Sequence, residues 1–235
     1  MTTDTKGFNA ERTFCTKQYT LKSGIVSLFQ LKCSLITSKL KLILKTEYFA
    51  KLIIGALYSD QQWLEQAKME MQRLNWVIQL QSEELPFDKT DYYTREMGRE
   101  LKRCFLSIEG LQSLECSVDW KFKTLEIENL LSFDGKRRIN LDPGYLDFHR
   151  VVLLSGKEGP QKIYLRDGIW ADLVLLKDKG GFRELAWTFP DLKDGFYNDF
   201  FMQVRAEYKA EIVFRIIFLC RSFISTLWFD SSFFN

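Results

Sequence analysis

Asp167-Gly168 constrains the fold of this chain more than any other residue pair. It separates two apolar runs, 163–166 and 169–176, by only two residues. Both residue types tolerate the positive φ that a two-residue hairpin loop demands. Further runs at 151–154 and 183–189 flank this hairpin, with a second turn over 177–181. The second half therefore reads as antiparallel hairpins. A helix over 196–212 follows, with Phe200, Phe201, Val204 and Tyr208 along one face.

The first half has another rhythm. The run 49–58 is a buried-strand pattern, and Ser59 with Gln62 has the spacing of a capping box. Trp63, Leu64, Ala67, Met71 and Leu74 then recur at helical intervals up to Asn75. A strand over 76–81 ends before Pro86, a short helix over 90–97 closes at Gly98, and a third strand covers 101–108. Leu111, Leu114, Val118, Phe122 and Leu125 mark a second long helix, and 137–141 a further strand. Strand, helix, strand, strand, helix, strand is the order of a split βαβ unit. The expected class is α+β with a largely antiparallel sheet: a split βαβ-like half, then hairpins, then a C-terminal helix. With 46% apolar residues and twenty Phe, the chain has material for one ample, ring-rich core.

The two ends differ from this middle. Residues 1–47 hold eight Lys/Arg against Asp4, Glu11 and Glu47, an excess of five. On a chain of net charge +2 the remainder then carries about −3, so the domain has no basic bias and nucleic acid is not an expected partner. This extension reads as a translation start upstream of the true one, and the single domain is placed at 48–210. The tail 211–235 is apolar, but Arg215 and Arg221 interrupt it. Each would cost roughly 2.5–3.5 kcal/mol at a bilayer centre, which favours a surface helix with at most weak membrane association over a span.

Cysteines at 15, 33, 104, 116 and 220 are odd in number and lack Cys-x-x-Cys spacing, the pattern of reduced thiols in a cytoplasmic protein. With His149 the one histidine, no metal site is expected, and any Ser-His-Asp or Cys-His device would depend on that residue alone. His149 opens an apolar run and reads as a strand-edge or core histidine. No phosphate-binding glycine loop of the Gly-x-x-x-x-Gly-Lys-Ser/Thr or Gly-x-Gly-x-x-Gly kind is present, and no Gly-x-Ser-x-Gly. Cofactors are unknown.

Three blocks carry the polar chemistry: Thr90-Asp-Tyr-Tyr93 with Glu96-Met-Gly98, Arg138-Ile-Asn-Leu-Asp-Pro-Gly-Tyr145, and Trp187-Thr-Phe-Pro-Asp191. Together with Ile163-Tyr-Leu165 and Gly168 they resemble an uncharacterised, mainly bacterial family, domain of unknown function 4416, over roughly residues 48–209. The resemblance implies relatives and no activity. Similar proteins often carry a histidine and an arginine just before the Ile-Tyr-Leu element, where this chain has Gln161 and Lys162.

Read from the residues alone, Asp142-Pro-Gly-Tyr145 has the signature of a type II turn, with Asp142 bonding its own backbone. Its functional reading is a turn that gathers Arg138, Asn140, Asp142 and Tyr145 around a phosphate or hydrated magnesium. Thr90 or Asp91 reads as a helix cap, or with Tyr93 as part of an anion site. Trp187 reads as packing, and Asp191 as either a strand exit or a cleft wall. Lys136-Arg137-Arg138 reads as a solvated cluster at a helix end.

Three functions are compatible with this set. The first is a module binding a small anionic or phosphorylated ligand in a polar cleft, through Asp91, Tyr93, Arg138, Asn140, Asp142, Tyr145 and Asp191. The second is a metal-assisted hydrolase or transferase with Asp91, Asp142 and Asp191 on magnesium. The third is a protein-interaction module without a cleft. No catalytic residue and no oligomeric state is legible.

Overall fold

Strand β1 (Phe49–Tyr58) is buried along nearly its whole length, so apolar residues fill both of its faces. Leu52, Ile54, Ala56 and Tyr58 point to one layer of core, and Ile53 points to the other. This alternation organises the molecule as helices on both sides of one sheet. The computed structural model of the protein describes residues 48–88 and 93–229, and the expected extension 1–47 lies outside them.

Helix α1 (Gln61–Arg73) follows β1, and its N-cap is Asp60, whose side chain accepts from the Gln62 amide. The sequence pointed one residue earlier, to Ser59. Leu64, Ala67 and Met71 bury one stripe of α1. Strands β2 (Ile78–Gln81) and β3 (Leu85–Pro86) lead to α2 (Thr94–Met97), which closes at Gly98 with φ 92°. Strand β4 (Lys102–Ser113) and a 3-10 turn (Leu114–Cys116) precede α3 (Ser117–Leu130). Leu111 thus belongs to a strand and not to the expected helix, because Phe49, Ala50 and Lys51 of β1 pair with Ser113, Gln112 and Leu111.

The remaining strands are β5 (Ile139–Leu146), β6 (Arg150–Ser155), β7 (Ile163–Arg166), β8 (Ile169–Lys177) and β9 (Phe182–Glu184). Helices α4 (Pro190–Lys193) and α5 (Asn198–Phe229) complete the described chain. The sheet runs β2-β4-β1-β5-β6-β8-β7, with β3 also on β4 and β9 also on β8, and every pairing is antiparallel. Strands β1 and β2 are joined by α1 and separated by β4, so the expected split βαβ unit is present, and β5 on the far side of β1 completes a β-α-β-β-α-β set. The fold is α+β with a C-terminal helix.

The hairpin at Asp167-Gly168 forms as its residues require, with φ 53° and 76° at the two loop positions and Arg166 opposite Ile169. Under the sheet, α1 and α3 enclose Trp120, Leu106 and Ile108. Over it, Phe105 meets Tyr197 and Phe201 edge-on at ring centroids 4.9 and 5.1 Å apart. Lys51 is fully buried, with its ammonium on Gln79 and on Glu211 of α5 at 2.8 Å. From Lys209 to Arg221 no residue of α5 is fully buried, and among the described residues no helix is long and apolar enough to cross a membrane.

The Asp142-Pro143-Gly144 segment is the main departure from expectation. It is strand, not turn: Asp142, Pro143 and Gly144 stand opposite Gly55, Ile54 and Ile53 of β1. Gly144 serves close approach, since a Cβ there would lie 2.1 Å from the Val152 carbonyl oxygen. Pro143 is tolerated because β6 joins β5 only from Gly144 onward, which leaves one edge of β5 without a strand partner before that point.

Candidate functional site

The site begins with that unpartnered edge. From Gly144 to Leu146 β5 pairs with β6, and before Gly144 the two strands stand apart. An open edge at Leu141 would leave a buried N–H and C=O unsatisfied, at roughly 1–3 kcal/mol for each group. Helix α3 meets both needs. Glu128 Oε1 accepts from the Leu141 N–H at 2.7 Å, and Lys121 Nζ donates to the Leu141 carbonyl at 2.9 Å. The two side chains are seven residues apart on one face of α3, in the same stripe as Val118 and Leu125. They do the work of a missing strand, and β6 is free to diverge.

The fork opens into a cleft of about 640 Å³, lined from the sheet by Arg103, Asn140, Asp142 and Asp172. Phe87 and Tyr93 form one wall, Phe189 and Asp191 another, and Ser155, Lys157 and Lys162 a third. A hydrogen-bonded chain runs along its floor. Arg137 holds Glu96 through two N–H groups, both at 2.7 Å, and donates to Asn140 Oδ1 at 2.7 Å. Asn140 passes its amide N–H to Asp142 Oδ2 at 2.8 Å, and Lys121 lies 3.3 Å from Asp142 Oδ1. The Arg137 guanidinium holds the Glu96 carboxyl below its ordinary value, whereas burial pushes Glu128 up.

Deeper in the cleft, Arg103 is buried between the rings of Phe87 and Phe105 and pairs with Asp191 at 2.6 Å. Gly55 leaves the room for this, since a Cβ there would meet Phe105 at 3.0 Å and Arg103 at 3.3 Å. On the third wall, Lys162 donates to Ser155 Oγ at 2.9 Å and to the Lys157 carbonyl at 3.2 Å, and lies 3.7 Å from Asp172. Burial raises the Asp172 carboxyl, with Lys162 and Gln161 opposing.

Of the residues singled out from sequence, Tyr93, Asn140, Asp142 and Asp191 line the cleft. Arg138 and Tyr145 do not. In strand geometry Tyr145 takes the face opposite Asp142 and packs, half-buried, on the α1–α3 core. The Arg138 guanidinium lies over the rings of Trp63 and Phe133, at 6.0 and 5.6 Å. Asp91 falls outside the described residues, as do Thr90 and Tyr92. Arg137 is not a solvated helix cap but a half-buried node of the floor network. Trp187 is structural: its Nε1 donates to the Leu173 carbonyl and Thr188 Oγ to the Val174 carbonyl, covering β8 where its pairing with β6 shifts register. His149 is an exposed turn residue away from the cleft.

Sequence reasoning passed over Arg103, Lys121, Glu128 and Asp172, and marked Lys162 only as a departure from the family pattern. The available signal was a charge set inside an apolar pattern. Lys121 and Glu128 interrupt a helical stripe, and Arg103 and Asp172 interrupt strands. Among the described residues, no group of three His, Cys, Asp or Glu side chains could hold a metal ion.

A family model described as "Domain of unknown function (DUF4416)" matches residues 48–208, more than half of the chain and the whole of the stretch that holds the cleft residues. No curated protein and no solved structure matches the chain.

Proposed function

The chain belongs to the DUF4416 family, and we propose that it binds a small anionic or phosphorylated ligand in the cleft at the β5–β6 fork. One observation carries this reading. Five cationic side chains, Arg103, Lys121, Arg137, Lys157 and Lys162, reach the cleft from separate parts of the chain, against the three carboxylates Asp142, Asp172 and Asp191. With Glu96 and Glu128 behind Arg137 the charges balance, so the support is the convergence of cationic donors on one cavity and not a net positive charge. The volume of about 640 Å³ suits a metabolite-sized ligand. Phe87, Tyr93 and Phe189 supply apolar wall against which its uncharged part can pack.

The rival readings draw less support. A metal-assisted enzyme needs free carboxylates, but Asp142 is engaged by Lys121 and Asn140, and Asp191 by Arg103. An interaction module expects a surface patch in place of a cavity.

The test is a thermal-shift series on the full chain with nucleotides, sugar phosphates and small dicarboxylates. A ligand at 100 times its Kd stabilises by about 2.7 kcal/mol, which is readily seen. Lys157→Ala and Asp142→Asn should each weaken the response of the parent. A panel without any shift, or a shift that both variants keep in full, would remove the proposal.

A further inference from the structure

Asp172 is the one polar group of the cleft wall that the networks above leave incomplete. It stands in β8 opposite Leu153 of β6 and is 2% exposed. Its Oδ1 has no hydrogen-bond partner. Gln161 and Lys162 both steady the carboxyl, but Lys162, 3.7 Å from Oδ2, already donates to Ser155 Oγ and to the Lys157 carbonyl. Of the buried side-chain atoms without partners among the described residues, Asp172 Oδ1 alone belongs to a residue lining the cleft. Buried polar atoms are almost always satisfied, and a carboxylate is the most costly kind to leave short. Arg137, Asn140 and Asp142, by contrast, complete one another across the floor.

The geometry points to Asp172 as the residue that accepts a hydrogen bond from the ligand, and therefore to a ligand that carries hydroxyl groups beside its anionic group. This rests on the cleft being a ligand site. The donor is a hydroxyl and not an ammonium, because Lys162 stands 3.7 Å from the same carboxylate and would repel a second cation. The substrate class is then a polyhydroxylated anion such as a sugar phosphate or a nucleotide with its ribose hydroxyls. A bare phosphate or a simple dicarboxylate leaves Oδ1 as it is. A site built around a buried acceptor rejects the analogue that lacks the donor, typically by tenfold or more.

The experiment is calorimetric titration of the full chain with two matched pairs. Ribose 5-phosphate is compared with tetrahydrofurfuryl phosphate, its hydroxyl-free counterpart, and AMP with 2′,3′-dideoxy-AMP. At least one hydroxylated member should bind about tenfold tighter than its counterpart. Asp172→Ala should abolish that preference, so that the two members of each pair bind alike, and Asp172→Asn, which keeps a carbonyl acceptor, should retain part of it. Equal binding within both pairs, or a preference that survives Asp172→Ala, overturns the assignment and leaves the cleft reading standing. Absence of binding by all four compounds overturns both. An Asp172→Asn protein that fails to fold would mark the carboxyl as structural and also overturn the assignment.

Discussion

Replacing Glu128 tests whether a helix side chain holds the edge of β5. Its side chain is 1% exposed, and Oε1 accepts from the Leu141 N–H at 2.7 Å while Oε2 lies 3.4 Å from Arg137. Glu128→Ala strands the Leu141 amide, at about 1–3 kcal/mol, and removes packed methylenes worth about 0.8 kcal/mol each. A total loss of about 2–4 kcal/mol is expected. Glu128→Gln keeps an acceptor for Leu141 and should cost under about 1 kcal/mol. The pH dependence separates the two causes. Burial raises the Glu128 pKa, so the folded state binds a proton more tightly than the unfolded state does. The contribution of this carboxyl is fully present below its unfolded pKa and fades as pH rises through its folded value. Glu128→Gln lacks that titration, so its deficit against the parent should narrow from acid towards neutral pH. Urea unfolding followed by far-ultraviolet circular dichroism at several pH values gives each quantity. A loss below about 0.5 kcal/mol for Glu128→Ala, or equal losses for Ala and Gln, would refute the substitute-strand argument.

Three further outcomes follow from the packing. Gly144→Ala forces a Cβ to within 2.1 Å of the Val152 carbonyl oxygen, so it should cost about 3 kcal/mol or more and lower the midpoint of urea unfolding. Asp191→Asn leaves Arg103 buried without its partner and should cost about 3–5 kcal/mol, whereas Arg103→Met with Asp191→Leu should recover much of that loss in a double-mutant cycle. Thiol labelling of the native protein, read by mass spectrometry, should modify exposed Cys116 and spare Cys104, whose thiol burial pushes up to about 11. Rapid labelling of Cys104 would show that the core between β4 and α1 opens.

The parts of the fold legible in the sequence are those written locally. Asp167-Gly168 specifies its hairpin through the φ values its own residues accept, and the α1 stripe of Leu64, Ala67 and Met71 specifies a buried face. The parts that were not legible depend on residues far away in the chain. Asp142-Pro-Gly carries turn chemistry, yet pairing with Gly55 to Ile53 on one side and contact with Val152 on the other make it strand. The extra length of β4 likewise exists because the start of β1 lies beside it. In the cleft, Asn140, Asp142 and Asp191 stood out because they sit in distinctive motifs. Arg103, Lys121 and Asp172 did not, since a charge inside an apolar run declares itself only when the element beside it proves to have a gap.

The arrangement around Leu141 separates two halves that a sheet usually ties together. In an ordinary ladder each strand is held by its neighbour, so moving one unsettles the next. Here the start of β5 draws its hydrogen bonds from α3, so at Leu141 the half of the sheet built on β1 does not depend on the outer strands for its ladder. The fold therefore has a seam where a helix and not a strand completes the ladder, and that seam passes through two side chains of one helix.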